Sequence, residues 1–169
     1  MIAYGIRLLT RSDEPAFRRV RLDALRLHPT AFTASYENDA TSTPDALASR
    51  LLDPPSHMFG GFTADGALVG TTGLRLQPGI KTRHKGLVFA VYVDAAHRGT
   101  GLARALLETT IARARFEQLK VVHLTVTVGN DGARRLYTEL GFRTYGIEPR
   151  GLCVDGVFHN EELMALDLD

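Results

Sequence analysis

At 169 residues, with 44% hydrophobic and 23% charged side chains, the chain is sized for one domain, residues 1–169, and is too apolar for a disordered segment. Twenty Lys plus Arg against nineteen Asp plus Glu leave a formal charge of +1, which excludes nucleic-acid binding by bulk charge and makes any anion site a local one. No apolar run approaches the ~20 residues of a membrane helix, and the N-terminal segment lacks a signal-peptide core. The one cysteine, Cys153, cannot form an internal disulfide and has no catalytic signature around it. These features predict a cytoplasmic protein, free of membrane, in which Cys153 is a small buried hydrophobe.

In chain order, residues 3 to 9 read as a strand, and Ser12 can cap a helix that carries Phe17, Val20, Ala24 and Leu25 on one face. Thr43 before Pro44 starts a second helix running to about Leu52, since a capping hydroxyl and a first-turn proline remove two orphan amides. Residues 58 to 63 and 68 to 76, turned by Ala64-Asp65-Gly66, form a hairpin. Residues 87 to 93 are apolar on both faces, as a buried strand requires, and a glycine turn then leads into a long helix with Leu102, Ala105, Leu106, Thr109, Ala112 and Phe116 inward. Residues 121 to 128 follow as a strand parallel to the first, across a right-handed crossover. A short helix carries Ala133, Leu136, Tyr137 and Leu140 up to Gly141, and residues 142 to 148 and 157 to 168, turned by Asp155-Gly156, close the sheet. The fold class is therefore α/β, an α+β mixed sheet of about seven strands with about four helices.

The chemistry concentrates in the turn after residue 93. Gly99 and Gly101 bear no side chain and Ala103 a small one, so successive amides from Arg98 through Thr100 and Leu102 can face one bulky anion, with the positive end of the helix behind them. That arrangement suits a pyrophosphate. A Walker loop needs Gly-Lys followed by Ser or Thr, and the dinucleotide fingerprint needs glycine where Arg104 stands; neither pattern is met. No Gly-x-Ser-x-Gly elbow is present, and the six histidines show no metal-ligand spacing, so neither a serine nucleophile nor a metal is expected.

Arginine, any two residues, glycine, any one, then glycine or alanine is met by Arg98, Gly101 and Ala103 after a valine-rich strand. This resembles motif A of the GNAT superfamily of N-acetyltransferases. A second stretch is similar to the same family in order and spacing: Asn130, Ala133, Leu136, Tyr137, Gly141 and Phe142. The resemblance implies a GNAT-like fold, mostly antiparallel with a splayed central parallel pair, and direct transfer of the acetyl group of acetyl-CoA to a primary amine of a small molecule or peptide. It implies that the amides of Arg98, Gly99, Thr100, Gly101, Leu102 and Ala103 hold the cofactor pyrophosphate. It places Val91 and Val93 beside the pantetheine arm and thioester, gives Asn130 and Ala133 to the cofactor, and makes Tyr137 the acid that protonates the departing thiolate. Relatives often pair as homodimers. The alternative is an acyl-CoA-binding or sensing module of the same fold without turnover.

Two positions depart from the family pattern: Ala95 stands where proline is common, and residues 87 to 93 carry no acid for a general base. An amine of pKa near 10 costs about 4 kcal/mol to neutralise at pH 7, so a base or water chain has to help. Glu37, His84, His123 and Glu148 are the candidates, with Glu37 and Tyr92 assigned to the acceptor side. Arg104, Lys120, Arg134 and Arg135 are candidates for the 3′-phosphate of the cofactor.

Overall fold

A computed structural model describes residues 3–169 and, among them, seven strands and five α-helices. The strands are β1 (Gly5–Leu8), β2 (Ser56–Phe62), β3 (Leu68–Leu76), β4 (Lys85–Val93), β5 (Val121–Thr127), β6 (Arg143–Val154) and β7 (Val157–Asp167). They make one sheet in the order β1-β2-β3-β4-β5-β7-β6, antiparallel throughout except for the β4–β5 pair. The helices are α1 (Glu14–Leu27), α2 (Tyr36–Thr41), α3 (Pro44–Leu51), α4 (Leu102–Phe116) and α5 (Asp131–Glu139).

Local chemistry accounts for most element boundaries. Thr43 Oγ accepts the Ala46 amide at 3.2 Å, and Pro44 occupies the first turn of α3. Gly141, at φ 97°, ends α5 in a Schellman turn, with the Phe142 amide donating to the Tyr137 carbonyl at 3.0 Å and the Gly141 amide to Thr138. At α1 the start differs from expectation. A 3-10 turn over Arg11–Asp13 precedes the helix, and Asp13 rather than Ser12 organises it by accepting the Thr10 amide at 2.8 Å.

Two helical layers sandwich the sheet. On one face Phe17, Val20 and Ala24 of α1 and Leu47, Ala48 and Leu51 of α3 pack on Met58, Ala90 and Tyr92. On the other, Leu107, Ile111 and Ala114 of α4 and Tyr137 of α5 pack on Leu74, Val88, Val122, Leu124 and Met164. Each fully buried Phe or Leu in these layers contributes about 2 kcal/mol of transfer free energy. The inward face of α4 is rotated from the expected one. Leu102 and Leu106 are buried as read, but Leu107, Thr110, Ile111 and Ala114 complete the face, and Phe116 is 78% exposed. Cys153 is also exposed, on the terminal hairpin, and not the buried hydrophobe its residue type suggests.

The sheet is opened in the middle. β4 and β5 pair only over Lys85–Leu87 and Val121–His123. Beyond Leu87 a bulge in β4 interrupts its register with β3, Ala90 takes φ 52°, and its carbonyl accepts the Thr71 hydroxyl at 2.9 Å. Phe89 and Ala90 consequently both join the α1/α3 layer. The remaining stretch to Val93 turns away from β5 with its main chain unpaired on that side.

Candidate active site

At the end of β4 the chain makes a 3-10 turn over Ala95–His97 and enters α4 through two residues that glycine alone occupies without strain: Gly99 at φ 72° and Gly101, the N-cap, at φ 88°. A Cβ at either would meet nothing within 4 Å, so the space in front of the loop is open. The amides of Gly99 through Ala103 find no acceptor among the described residues, and no side chain caps the helix. Thr100 points back, its hydroxyl donating to the His97 carbonyl at 2.6 Å. Arg98 folds over the strand end, with Nε donating to the Val93 carbonyl at 3.0 Å and a terminal nitrogen 2.8 Å from His28 Nε2. Burial and the Arg98 charge lower the His28 pKa, which favours its neutral form. The loop is thus a set of free donors at the positive end of a 15-residue helix, fitted to a diphosphate.

The gap between β4 and β5 continues from this loop into a cavity of about 520 Å³ lined by Val91, Tyr92, Val93, Arg98, Gly99, Ala103, Thr125, Asn130, Ala133 and Tyr137, among others. A second cavity, of about 360 Å³, opens toward α1 and α3. The two share Ala31, Phe32, Val91, Thr125 and Tyr137, so they meet where the strands separate. Tyr137 is buried at that junction, packed edge-on against Phe142, and burial pushes its hydroxyl up to about 12. The phenol is therefore neutral at pH 7 and carries its proton. Asn130 caps α5, its side-chain oxygen accepting the Ala133 amide at 3.4 Å.

Apart from Thr100, every residue expected at the diphosphate, the pantetheine arm or the start of the last helix lines this cavity or the adjoining glycine-loop pocket, which adds Gly101 and Leu102. Tyr92, expected on the acceptor side, lines the cavity that continues from the glycine loop and not the one toward α1 and α3. The expected bases line neither of these two cavities. Glu37 is exposed on α2 and lines a third pocket, of about 350 Å³, with Cys153 and Asp155; that pocket shares Phe32, Thr33 and Ala34 with the second cavity. His84 is exposed at the closed end of the β4–β5 pair, where its carbonyl accepts the Lys120 amide. His123 packs on Tyr145, and Glu148 is exposed on β6. None of the four lines either cavity. Of the phosphate candidates, Lys120 pairs with Asp169 at that closed end, Arg134 with Glu162 at 2.9 Å, and Arg104 with Glu139, while Arg135 is exposed. Sequence reasoning missed Thr125 in the cleft and Arg21, Arg50 and Arg75 in the cavity toward α1 and α3. The three arginines come from three separate elements, which no linear motif reports.

The chain matches the sequence profile described as the Acetyltransferase (GNAT) family over residues 21–142. It is 34% identical over 113 residues to the N-alpha-acetyltransferase RimI of Mycobacterium tuberculosis, covering 67% of this chain and 69% of that protein. It is 34% identical over 151 residues to a mycothiol acetyltransferase of Thermobispora bispora, covering 85% of this chain but only 48% of that one, so the chain spans about half the length of that relative. Among solved structures, yncA of Salmonella typhimurium, determined with its cofactor acetyl-CoA, superposes with a TM-score of 0.82 at 25% identity over 99% of this chain and 95% of that one. No helix among the described residues is long and apolar enough to cross a membrane. With the profile covering most of its length and its glycine loop, parted strands and buried tyrosine set in the same fold, the chain belongs to the GNAT family of acetyltransferases.

Proposed function

We propose that the protein transfers an acetyl group from acetyl-CoA directly to a primary amine, with the diphosphate on the glycine loop and the acceptor entering from the α1/α3 side. Acetyl-CoA, when bound, supplies the activated acetyl group; the remaining work is done by the chain. The amides of Gly99 to Ala103 hold the diphosphate, and Asn130 fixes the start of α5 against the cofactor-side cavity. The unpaired main chain of β4 around Val91 and Val93 offers donors to the pantetheine arm and to the carbonyl oxygen as it gains charge. The amine nitrogen bonds to the carbonyl carbon and sheds one proton to solvent, while Tyr137 gives its phenolic proton to sulfur as the carbon–sulfur bond breaks and recovers one from solvent afterwards. No activated nucleophile lines either cavity, which favours direct attack by the amine over an acyl-enzyme.

The observation that carries this reading is the meeting of two cavities at Tyr137, Val91 and Thr125. A module that only senses the cofactor has no need of the second cavity, and the relatives described above are acetyltransferases. The test is Tyr137→Phe in a released-thiol assay over a panel of amines. General-acid catalysis contributes about 10²–10⁴-fold, so kcat should fall by at least about a hundredfold while acetyl-CoA affinity by calorimetry is kept. Equal turnover by the variant removes Tyr137 from the chemistry, and tight binding without turnover in the parent favours the sensing module.

A further inference from the structure

The acceptor-side cavity holds more positive charge than its neighbours balance. Arg21 of α1, Arg50 of α3 and Arg75 of β3 line it, and no Asp or Glu does. Among the described residues, Asp39 is the carboxylate bonded to this group. It is fully buried and accepts Arg21 Nε at 2.9 Å on one oxygen and Arg50 at 2.5 Å on the other. Three guanidinia against one carboxylate leave two positive charges around this cavity. Arg75 is the one without an acid. Its Nε donates to the Ser56 hydroxyl at 3.2 Å, a terminal nitrogen donates to the Arg50 carbonyl at 3.3 Å, and the guanidinium lies 4.7 Å above the Phe89 ring. These contacts fix the plane of the fork but supply no counter-charge, and both burial and the Arg50 and Arg21 charges lower the Arg75 pKa.

A half-buried cation held rigid by a ring and two neutral acceptors is preorganised for an anion that the folded chain does not itself provide. We propose, resting on the acetyltransferase reading, that the acceptor is a small amine carrying its own carboxylate, an amino acid or close analogue, and that this carboxylate docks on Arg75 beside Arg50 and Arg21. A cavity of about 360 Å³ with Phe32, Leu51, Leu87 and Val91 among its walls suits an amino-acid-sized ligand with an apolar side. The guanidinium fork matches a carboxylate in two parallel bonds, which would orient the amine toward the junction at Tyr137. The surplus charge also disfavours a protonated amine close by, which lowers the pKa of the nucleophile and eases the need for a dedicated base. By the same sign it repels polyamines.

The test compares free amino acids with their carboxamides, with spermidine and with a short peptide bearing a free N-terminus, all in the released-thiol assay. We expect kcat/KM for the acids to exceed that for the carboxamides by at least tenfold, with spermidine and the peptide lower still. Arg75→Gln should erase that preference through KM for the acceptor, leave KM for acetyl-CoA unchanged and keep the thermal melt close to that of the parent. Arg75→Lys, which keeps the charge but loses the fork, should restore part of the preference. Equal or better turnover of carboxamide, peptide or polyamine overturns the proposal, as does an unchanged acid preference in folded Arg75→Gln. The acid-to-carboxamide ratio of the parent enzyme needs no variant and decides the matter even where Arg75→Gln misfolds. Calorimetry with CoA separates the two levels of inference. Absence of CoA binding overturns the active-site reading itself, whereas CoA binding with turnover indifferent to the carboxylate overturns only the acceptor class.

Discussion

Glu161 of β7 is buried opposite Glu148 of β6, and β6 passes it through Gly151, where a Cβ would lie 2.9 Å from the glutamate side chain. Burial first, and then the Glu148 charge, raise its carboxyl pKa. A carboxyl that holds its proton to higher pH when folded than when unfolded makes the native state bind more protons in the window above the unfolded value of about 4.3, so stability falls as pH rises through that window. Glu161→Gln should therefore raise stability at pH 7 by about 1 kcal/mol, and the gain should vanish below about pH 4, as read by urea melts at the two pH values. Equal midpoints at pH 7 would show that the buried carboxylate carries no net penalty. Residues of this kind are hard to see in a sequence. Tyr137 and Asn130 are legible because they sit at fixed spacing around one helix start, whereas Glu161 is one polar residue in a strand whose partners lie on β5 and β6.

At the level of elements, the glycine loop is where backbone conformation and binding coincide. Gly101 at φ 88° begins α4, and alanine there should cost about 1–2 kcal/mol of stability and weaken acetyl-CoA binding by at least about tenfold, measured by calorimetry on folded protein. Gly66, at φ 86° in the β2–β3 turn and equally free of neighbours, is the control: Gly66→Ala should cost similar stability and leave affinity alone. If the two variants bind acetyl-CoA alike, the loop does not hold the diphosphate. The β2–β3 hairpin, β4, β5, α3 and α5 were readable from the sequence because each is specified by contiguous residues: a turn, a cap or a run of β-branched side chains. Three element-level features were not. The inward face of α4 differs from the expected one at Phe116, since alanines and threonines around the helix give no sharp apolar stripe and packing on β3 and β4 decides. α2, six mostly polar residues, forms because Ser35 caps it and Asp39 is drawn into the Arg21 and Arg50 pair, a tertiary cause. β6 runs well past residue 148 because β7 continues to pair with it across a bulge.

For the molecule as a whole, near-neutral net charge conceals a strongly uneven distribution, with surplus guanidinium at the cavity toward α1 and α3 and free amides on the glycine loop. β1 to β4 and β5 to β7 are two half-sheets whose backbone hydrogen bonds to one another are confined to a three-residue seam, the rest of their cohesion coming from side chains under α4 and α5. A ligand that spans the seam should bind the folded state alone. At a hundredfold excess over Kd it adds about 2.7 kcal/mol, which for a chain of this size is a rise in Tm of about 5–10 °C. CoA should produce that rise in a thermal melt, and an unmoved Tm at saturating CoA would show that nothing bridges the halves.

The three-residue seam also sets where the protein breathes. Like two pages bound by a short spine, the half-sheets can part at the open edge without disturbing the hinge, so amide hydrogens of β4 beyond Val88 should exchange with deuterium faster than those of Lys85–Leu87, and should slow to match them once CoA lies between the leaves. An exchange rate that stays as fast beyond Val88 with CoA bound as without it would show that the leaves are not held together by the ligand.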